Sequence, residues 1–489
     1  GVRPNIFLML TDDQDIELGS MNAMSFTRSL GTTGLNFSNF FAHTPVCCPS
    51  RSELLTGRYF HNLKTSTFDV SSPQCMHVNA SLPTPTGNPA TFAVALQKSG
   101  YVTGMFGKYL NSGGMGKICP KPVGDGSLLV PVGWSEFLGA CPDTCYVDCT
   151  YNYNGRSASF TDPHFVNGSN YGTTVIGNAS LAFIRRAMGA NTPFFAYVAS
   201  HAPHGPATPS ATYAGLYSGA DVIAPRTAAY NVHSADKHWV VRVQPSITAT
   251  YAASQIDAFY KNRMRSLRSV DDIVHDAHVA VAAAGQLDNT YWFFSSDHGL
   301  HMGQFCLGPC KRQPYDTDIR IPFLVVGPGV PAGFREEHAG IPDLAATFLD
   351  LAGANGGFGS VAMDGRSLRP LLTGEPTAGW RQAYLVEYTA TSGEVAPPDG
   401  PDDHLKDNAN NTFIGLRIKN ATHDISYFEF TDPTLDWNFM ENHLFCELYN
   451  LTADPAQLKN ICPTAAPPLV AALHTQLREQ FACSGSSCA

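Results

Sequence analysis

Short apolar runs without polar interruption recur along the chain, and each predicts a buried β-strand. A continuous run that does not alternate with polar positions is typical of a parallel strand covered on both faces. Amphipathic patterns elsewhere predict helices. The predicted strands cover 5–10, 101–106, 194–199, 291–294 and 320–326, and the predicted helices cover 91–99, 267–283 and 343–352.

Polar side chains follow these predicted strands at once. Asp12 and Asp13 come directly after the first run, and Asp297 and His298 come shortly after residues 291–294. Carboxylates beyond the C-terminal end of a strand occupy the place where open α/β sheets bind their ligands. Adjacent carboxylates repel each other unless a cation lies between them, so Asp12 and Asp13 are candidate metal ligands. The alternative is a cluster that caps a helix N-terminus, a common use of aspartate.

Length and charge narrow the class of protein. The chain has 489 residues, enough for one large domain and a smaller one, with 44% hydrophobic and 15% charged residues. The net charge of −10 and the absence of a Lys/Arg run argue against nucleic acid as a partner. No apolar run is long enough to predict a membrane span. Residues 1–4 lead directly into a strand, so we expect a mature, trimmed chain.

Cysteines and glycosylation sequons indicate the secretory pathway, with an extracellular or lysosomal destination. There are thirteen cysteines, and they lack the paired spacing of zinc sites. We expect Cys483 with Cys488, and Cys306 with Cys310, to be close enough for small disulfide loops. The candidate glycosylation sites are Asn36, Asn79, Asn167, Asn178, Asn410, Asn420 and Asn450.

The segment Cys47-Cys48-Pro49-Ser50-Arg51, followed by Leu55-Thr56-Gly57-Arg58, resembles the signature of the type I sulfatases. In that family a formylglycine-generating enzyme oxidises the first cysteine to an aldehyde, whose hydrate attacks the sulfur of a sulfate ester. The hydrate then expels sulfate by re-forming the aldehyde, so that two easier steps replace one difficult step. Without the resemblance, Cys47 and Cys48 would be read as disulfide partners.

The resemblance extends over most of the chain and implies an α/β fold. We expect the alkaline-phosphatase-like sandwich, with a large mixed sheet flanked by helices in residues 1–375. A smaller α+β domain with an antiparallel sheet would follow in 376–489. The implied metal site is formed by Asp12, Asp13, Asp297 and His298 together with residue 47, and it would hold Ca²⁺, with Mg²⁺ as the second possibility.

The resemblance also assigns catalytic roles. Asp297 would assist the attacking hydroxyl, and the sulfate charge would be stabilised by Arg51, Lys108, His204 and Lys311. One departure concerns the base of the elimination step, since Leu110 stands where many relatives have histidine. The candidates to replace that base are His43, His61 and His301, with His301 ranked first.

The segment 224–242 resembles a branch of the family that acts on 6-sulfated glucosamine. Lys237, His238 and Trp239 are therefore candidate sugar contacts, although a packed loop is an equal alternative. The predicted substrate is a sulfated glycan, with an aryl sulfate ester as the alternative. A phosphodiesterase or phosphonate hydrolase of the same superfamily is a rival function, and a non-catalytic glycan-binding protein is another.

Overall fold

The structure is a computed structural model. It describes residues 3–63, 91–111, 128–142, 144–162, 169–354, 362–375, 377–390, 402–407, 411–431 and 443–488. Three of the predicted glycosylation sites, Asn79, Asn167 and Asn410, lie outside the described residues.

Sixteen strands form the sheets of the described part of the chain. In chain order they are β1 Asn5–Thr11, β2 Leu35–Phe37, β3 Phe40–Phe41, β4 Val102–Gly107, β5 Glu136–Cys141, β6 Thr150–Tyr153, β7 Arg156–Ser159, β8 Phe194–Ala199, β9 Thr290–Ser296, β10 Phe323–Val326, β11 Gly333–Arg335, β12 Ala339–Gly340, β13 Ala383–Tyr388, β14 Thr412–Lys419, β15 Asp424–Thr431 and β16 Phe445–Asn450.

Helices connect and cover these strands. They are α1 Ser25–Gly31, α2 Cys47–Thr56, α3 Phe60–Leu63, α4 Phe92–Lys98, α5 Gly172–Gly189, α6 Trp239–Arg242, α7 Ala249–Tyr251, α8 Ala258–Ala283, α9 Asp316–Ile319, α10 Asp343–Leu351, α11 Arg369–Thr373 and α12 Pro467–Phe481. A π-helical segment, Ala252–Asp257, leads into α8.

The large sheet has ten strands in the order β11-β2-β10-β9-β1-β8-β4-β5-β6-β7. β1 lies between β8 and β9, and both run parallel to it. β4 runs parallel to β8, whereas β10 is antiparallel to β9. The C-terminal ends of β1, β4, β8 and β9 therefore meet at one edge, where open α/β sheets bind ligands.

Both faces of this sheet are covered, which explains the continuous apolar runs. Successive side chains of a strand point to opposite faces. Accordingly, Ile6 and Leu8 pack into one apolar cluster with residues of α4 and α10. Phe7 and Met9 pack into a second cluster with residues of α5 and α8.

A separate four-stranded antiparallel sheet follows, in the order β13-β14-β15-β16. Leu473 and Leu477 of α12 pack against Ile414 and Leu416 of β14. Tyr59, from the segment just after α2, belongs to the same cluster. The small sheet thus contacts the part of the chain that follows the signature, and the domain division near residue 375 stays a proposal.

Disulfides link Cys145 with Cys149, Cys446 with Cys462 and Cys483 with Cys488, and Cys48 is also disulfide-bonded. The expected loop between Cys306 and Cys310 is wrong, because both are free thiols. Sγ of Cys306 lies 3.4 Å from Oδ1 of Asn231, whereas Sγ of Cys310 accepts from Nη1 of Arg312.

The four described sequon asparagines differ in exposure. Asn450 is exposed at the end of β16, whereas Asn36, Asn178 and Asn420 are partly buried. Nδ2 of Asn36 donates to the carbonyl of Gly31 at 2.8 Å. Their occupancy stays a prediction. Among the described residues, no helix is both long and apolar enough to cross a membrane.

Candidate active site

The candidate nucleophile opens a helix. α2 begins at Cys47, directly after the extended residue Val46, and all ten of its residues are buried. The first backbone N–H groups of a helix have no partner within the helix, so this end favours negative charge. Cys47 is thus placed where an anionic ester would be attracted.

Four side chains from the ends of β1 and β9 surround Cys47. Sγ of Cys47 lies 3.4 Å from Oδ1 of Asp12 and 3.2 Å from Nε2 of His298. The same Nε2 lies 3.5 Å from Oδ1 of Asp13 and 3.5 Å from Oδ1 of Asp297. The ligand atoms of Asp12, Cys47, Asp297 and His298 all lie within 4.8 Å of one another. The structure therefore brings together all the side chains expected to hold a metal.

Two lysines neutralise the first pair of carboxylates. Nζ of Lys108 lies 2.5 Å from Oδ2 of Asp12, and Nζ of Lys311 lies 2.7 Å from Oδ1 of Asp13. Burial alone would raise the pKa of both carboxyls, but the neighbouring cations outweigh it. The pKa of Asp12 is held well below its usual value, and the pKa of Asp13 falls to about 2. Both carboxyls are therefore ionised at neutral pH.

Arg51 joins the signature helix to the end of β9. Its Nε donates to Oδ2 of Asp297 at 2.9 Å, and its Nη1 donates to the carbonyl of Lys108 at 2.7 Å. Burial would lower the pKa of this guanidinium, but Asp297 outweighs that effect and raises it. Arg51 remains a cation and is fully buried.

Two glycines permit the close backbone approach that positions these groups. A Cβ on Gly107 would lie 2.1 Å from the carbonyl oxygen of Ala199, and one on Gly299 would lie 2.1 Å from that of Thr317. Gly107 also has a φ of 110°, which favours glycine. Larger residues would therefore displace Lys108 or His298, which adjoin these glycines.

His204 faces the site from the loop after β8. Its Nδ1 lies 2.8 Å from the carbonyl of Gly205, which fixes the proton on Nδ1. Its Nε2 lies 3.9 Å from Oδ2 of Asp13, and the side chain is 23% exposed. Burial is the main cause that lowers its pKa. A negatively charged ligand would favour protonation of Nε2, which would then donate to it.

Residues 4–354 match the protein-family model described as Sulfatase. The chain belongs to the sulfatase family. It is 35% identical to the N-acetylglucosamine-6-sulfatase of Homo sapiens, over 99% of this chain and 86% of the relative. It is 29% identical to the arylsulfatase of Volvox carteri, over 99% of this chain and 76% of that relative. It is therefore an enzyme that hydrolyses sulfate esters.

A solved structure has the same fold. It contains a protein in complex with its substrate, D-glucosamine-2-N,6-O-disulfate, and matches with a TM-score of 0.74 at 20% identity. The match covers 98% of this chain and 97% of that one. The predicted alkaline-phosphatase-like fold is confirmed.

The three histidines expected as candidate bases of the elimination step make contacts with carboxylates. Nδ1 of His301 lies 2.9 Å from Asp318, and no described contact joins His301 to Cys47. His43 and His61 are both bound to Glu387. The assignment of His301 as the base stays a prediction. Among the described contacts, the imidazole that reaches Cys47 belongs to His298, which sequence analysis considers only as a metal ligand. Their separation of 251 residues hid this contact.

Two of the expected sugar contacts are occupied by the protein itself. Nζ of Lys237 donates to Oη of Tyr449 and to the carbonyl of Gln457, both at 2.6 Å. Nδ1 of His238 lies 2.8 Å from Glu447. Lys237 and His238 are 0% and 2% exposed, which agrees with the packed-loop alternative, and their contact with a sugar stays a prediction. The partner side chains come from β16, far away in sequence.

Trp239 has an intermediate position. It begins α6 and is partly buried against the apolar cluster that contains Val240 and Phe305. Its stacking on a sugar stays a prediction. A cavity of about 740 Å³ lies elsewhere, at the β11 edge of the large sheet. Because none of the candidate catalytic, metal-binding or sugar-binding residues lines that cavity, it does not mark the active site.

Proposed function

We propose that this sulfatase hydrolyses the sulfate ester of 6-O-sulfated glucosamine-type glycans, using formylglycine formed from Cys47 and a divalent cation. The observation that carries the proposal is the position of Cys47 at the N-terminus of α2, with its Sγ among the carboxylates and beside His298. In the mature enzyme an oxygen of the hydrated aldehyde would stand where Sγ stands here. Formation of this group requires a formylglycine-generating enzyme as a partner during maturation.

The donor set fits a hard cation. Asp12, Asp13 and Asp297 offer carboxylate oxygens, and His298 offers Nε2. Oxygen-rich sets suit Ca²⁺ or Mg²⁺, and the flexible coordination of Ca²⁺ tolerates an irregular arrangement of ligands better than the strict octahedron of Mg²⁺. The ion would polarise the ester and favour the ionised form of the nucleophile.

The cations of the chain would stabilise the charge on the sulfate oxygens. Lys108 and Lys311 neutralise Asp12 and Asp13 in this structure. A metal bound to those carboxylates would compete for them and leave both ammonium groups available to the substrate. His204, protonated at Nε2, would add a hydrogen bond to the sulfate or to the leaving oxygen. Asp297 would take the proton of the attacking hydroxyl.

The substrate class is supported by the relatives. One is an N-acetylglucosamine-6-sulfatase, and the fold neighbour is bound to a glucosamine disulfate. The alternative is a broad arylsulfatase, which the relative from Volvox carteri favours. The disulfides, and a relative named extracellular sulfatase, agree with the secretory prediction. An extracellular or lysosomal site of action belongs to the proposal.

Two measurements test the proposal. Mass spectrometry of the peptide with residue 47 should find formylglycine, and a plain thiol in active enzyme would contradict the mechanism. The second is kcat/KM for N-acetylglucosamine 6-sulfate, an aryl sulfate and an aryl phosphate diester. We expect the sugar sulfate to have the highest value. A clear preference for the aryl sulfate would establish the arylsulfatase alternative, and a preference for the diester would establish the phosphodiesterase rival.

A further inference from the structure

Arg263 lies on α8, far in sequence from every candidate site residue, yet its guanidinium reaches the loop after β1. Nη2 donates to the backbone carbonyl of Asp13 at 2.8 Å and to Oδ1 of Asp15 at 2.7 Å. The side chain is 1% exposed. A buried arginine with two partners on one loop restrains that loop strongly, because its planar fork fixes the direction of both hydrogen bonds.

The loop needs such a restraint. Asp13 has a φ of 65°, a left-handed conformation that is unfavourable for a residue other than glycine. In this conformation its N–H donates to Oδ1 of Asp297 at 3.2 Å, and its carboxylate accepts from Nζ of Lys311. Arg263 holds the carbonyl of the same residue. Hydrogen bonds thus hold both the N–H and the carbonyl of Asp13, and its carboxylate is directed into the site.

Arg263 also lies against the loop that carries His204. Its Nη1 is 3.5 Å from the carbonyl of Pro203, the residue before His204. This is a weak contact, but it places one guanidinium between the two loops that contribute Asp13 and His204. Those two side chains face each other at 3.9 Å.

We propose that Arg263 is a positioning residue for this active site: it holds Asp13 and His204 in the geometry that binds the cation and the sulfate. The inference rests on the proposed function, in which Asp13 is a metal ligand and His204 contacts sulfate. Arg263 touches neither the substrate nor the cation. It acts through the carbonyl of Asp13 and the carboxylate of Asp15.

A purely structural role would look different in experiment. Loss of a buried arginine–aspartate pair lowers stability wherever it occurs, so a fall in Tm is not informative. A positioning role must also weaken the cation site, because groups that orient metal ligands change metal affinity by about 10- to 100-fold.

The matched control is Arg268, which lies on the same helix. Its Nη1 donates to the carbonyl of Ala23 and to Oγ of Ser25, and lies 3.3 Å from Oδ2 of Asp271. It therefore ties α8 to the segment that leads into α1, which carries none of the proposed ligands. Arg263→Met and Arg268→Met each remove one charge and its hydrogen bonds, with the Arg263 side chain 1% exposed and that of Arg268 24% exposed.

The experiment uses the full-length enzyme, freed of metal by a chelator and dialysed. Calcium binding is measured by titration calorimetry, alongside Tm, kcat and KM. We expect Arg263→Met to weaken calcium binding about 10-fold or more and to lower kcat, with Arg263→Lys intermediate. Arg268→Met should lower Tm and leave calcium affinity within about 2-fold of the wild type. If Arg263→Met does not fold, Asp15→Asn is measured with the same readouts and the same expectation.

The possible outcomes distinguish a failure of the inference about Arg263 from a failure of the proposed function. If the wild type binds calcium and releases sulfate, but Arg263→Met and Asp15→Asn bind calcium as it does, Arg263 is only structural and the inference is overturned. If the wild type binds no divalent cation, the proposed function fails and the inference fails with it.

Discussion

Nε2 of His298 lies 3.2 Å from Sγ of Cys47, a contact that joins the end of β9 to the first residue of α2. The same nitrogen faces Asp13 and Asp297, so it cannot ligate a cation and accept a proton at the same time. His298→Asn separates the two roles, since an amide oxygen can be a ligand but not a base. We expect this variant to keep calcium binding, to lose about 100-fold in kcat and to accumulate sulfated enzyme, seen by mass spectrometry of the residue 47 peptide.

The matched control is His301→Gln. His301 is held by Asp318 and has no described contact with Cys47, so this variant should turn over without sulfated enzyme. Accumulation in His301→Gln, together with normal turnover by His298→Asn, would restore His301 as the base. Loosened calcium binding without accumulation in His298→Asn would mean that His298 is a ligand only.

Substitution of Asp297 should lower the stability of the protein as well as its activity. If Asp297 acted in catalysis alone, Asp297→Asn would be inactive and as stable as the wild type. In the structure, however, Asp297 is the buried partner of Arg51 at 2.9 Å. Removing one charge of a buried pair destabilises a protein by about 3 kcal/mol. We expect an inactive variant that needs less urea to unfold. Asp276→Asn, at an exposed site, is the control, and equal stability of both variants would contradict this prediction.

Chelation should remove activity reversibly. EDTA treatment is expected to reduce turnover by about 100-fold or more, because the ion polarises the ester. Without the ion, three carboxylates would also face the anionic substrate. Calcium should restore turnover more fully than magnesium. Full activity after exhaustive chelation would contradict the metal site formed by Asp12, Asp13 and Asp297.

The sequence predicts the central strands well, because each of them is a continuous apolar run that can be recognised from neighbouring residues alone. The run 194–199 coincides with β8, and 5–10 and 291–294 fall within β1 and β9. Since these strands are parallel neighbours, the polar residues after them meet at one edge. The burial of Lys237 and His238, and their contacts within the protein, could not be predicted in this way. Their partners Tyr449 and Glu447 lie about 210 residues further along, and no local pattern shows that pairing.

Lys237 should therefore affect stability and not substrate choice. Its Nζ makes two hydrogen bonds at 2.6 Å and lies 4.1 Å from the ring centroid of Phe305. Lys237→Met removes both bonds, and we expect it to lower the free energy of unfolding by about 2 kcal/mol. The ratio of kcat/KM for sugar and aryl sulfates should stay the same. A large change in that ratio, with unchanged stability, would return Lys237 to the substrate site.

Glu387 joins two histidines at the contact between the signature region and the small sheet. Its Oε1 lies 2.6 Å from Nε2 of His43 and 3.0 Å from Nδ1 of His61. The other ring nitrogens face the carbonyls of Leu385 and Cys483, at 2.8 and 3.0 Å. Carbonyls and carboxylates only accept, so all four ring nitrogens carry protons when these bonds are made, and both imidazoles are then cations.

This cluster predicts a stability maximum at mildly acidic pH. Burial would lower the pKa of His61, but Glu387 outweighs it and the pKa is raised. That stabilisation is complete below about pH 6.5, the unfolded value, and is lost as pH rises through the folded value. Burial would raise the pKa of Glu387, but His61 and His43 hold it well below its usual value. This second contribution is present above about pH 4.5 and is lost as pH falls through the folded value.

The test compares thermal unfolding at pH 5.5 and pH 8 for the wild type and Glu387→Gln. We expect the substitution to cost about 3 kcal/mol at pH 5.5, where it removes the partner of the buried His61 cation. The cost should be smaller at pH 8, because the contribution of the His61 charge falls as pH rises above its unfolded pKa. His275→Gln is the control, because His275 pairs with Asp276 in an exposed position and should change stability little at either pH. An equal loss of stability on Glu387→Gln at both pH values would show that this contact does not depend on protonation of the imidazole.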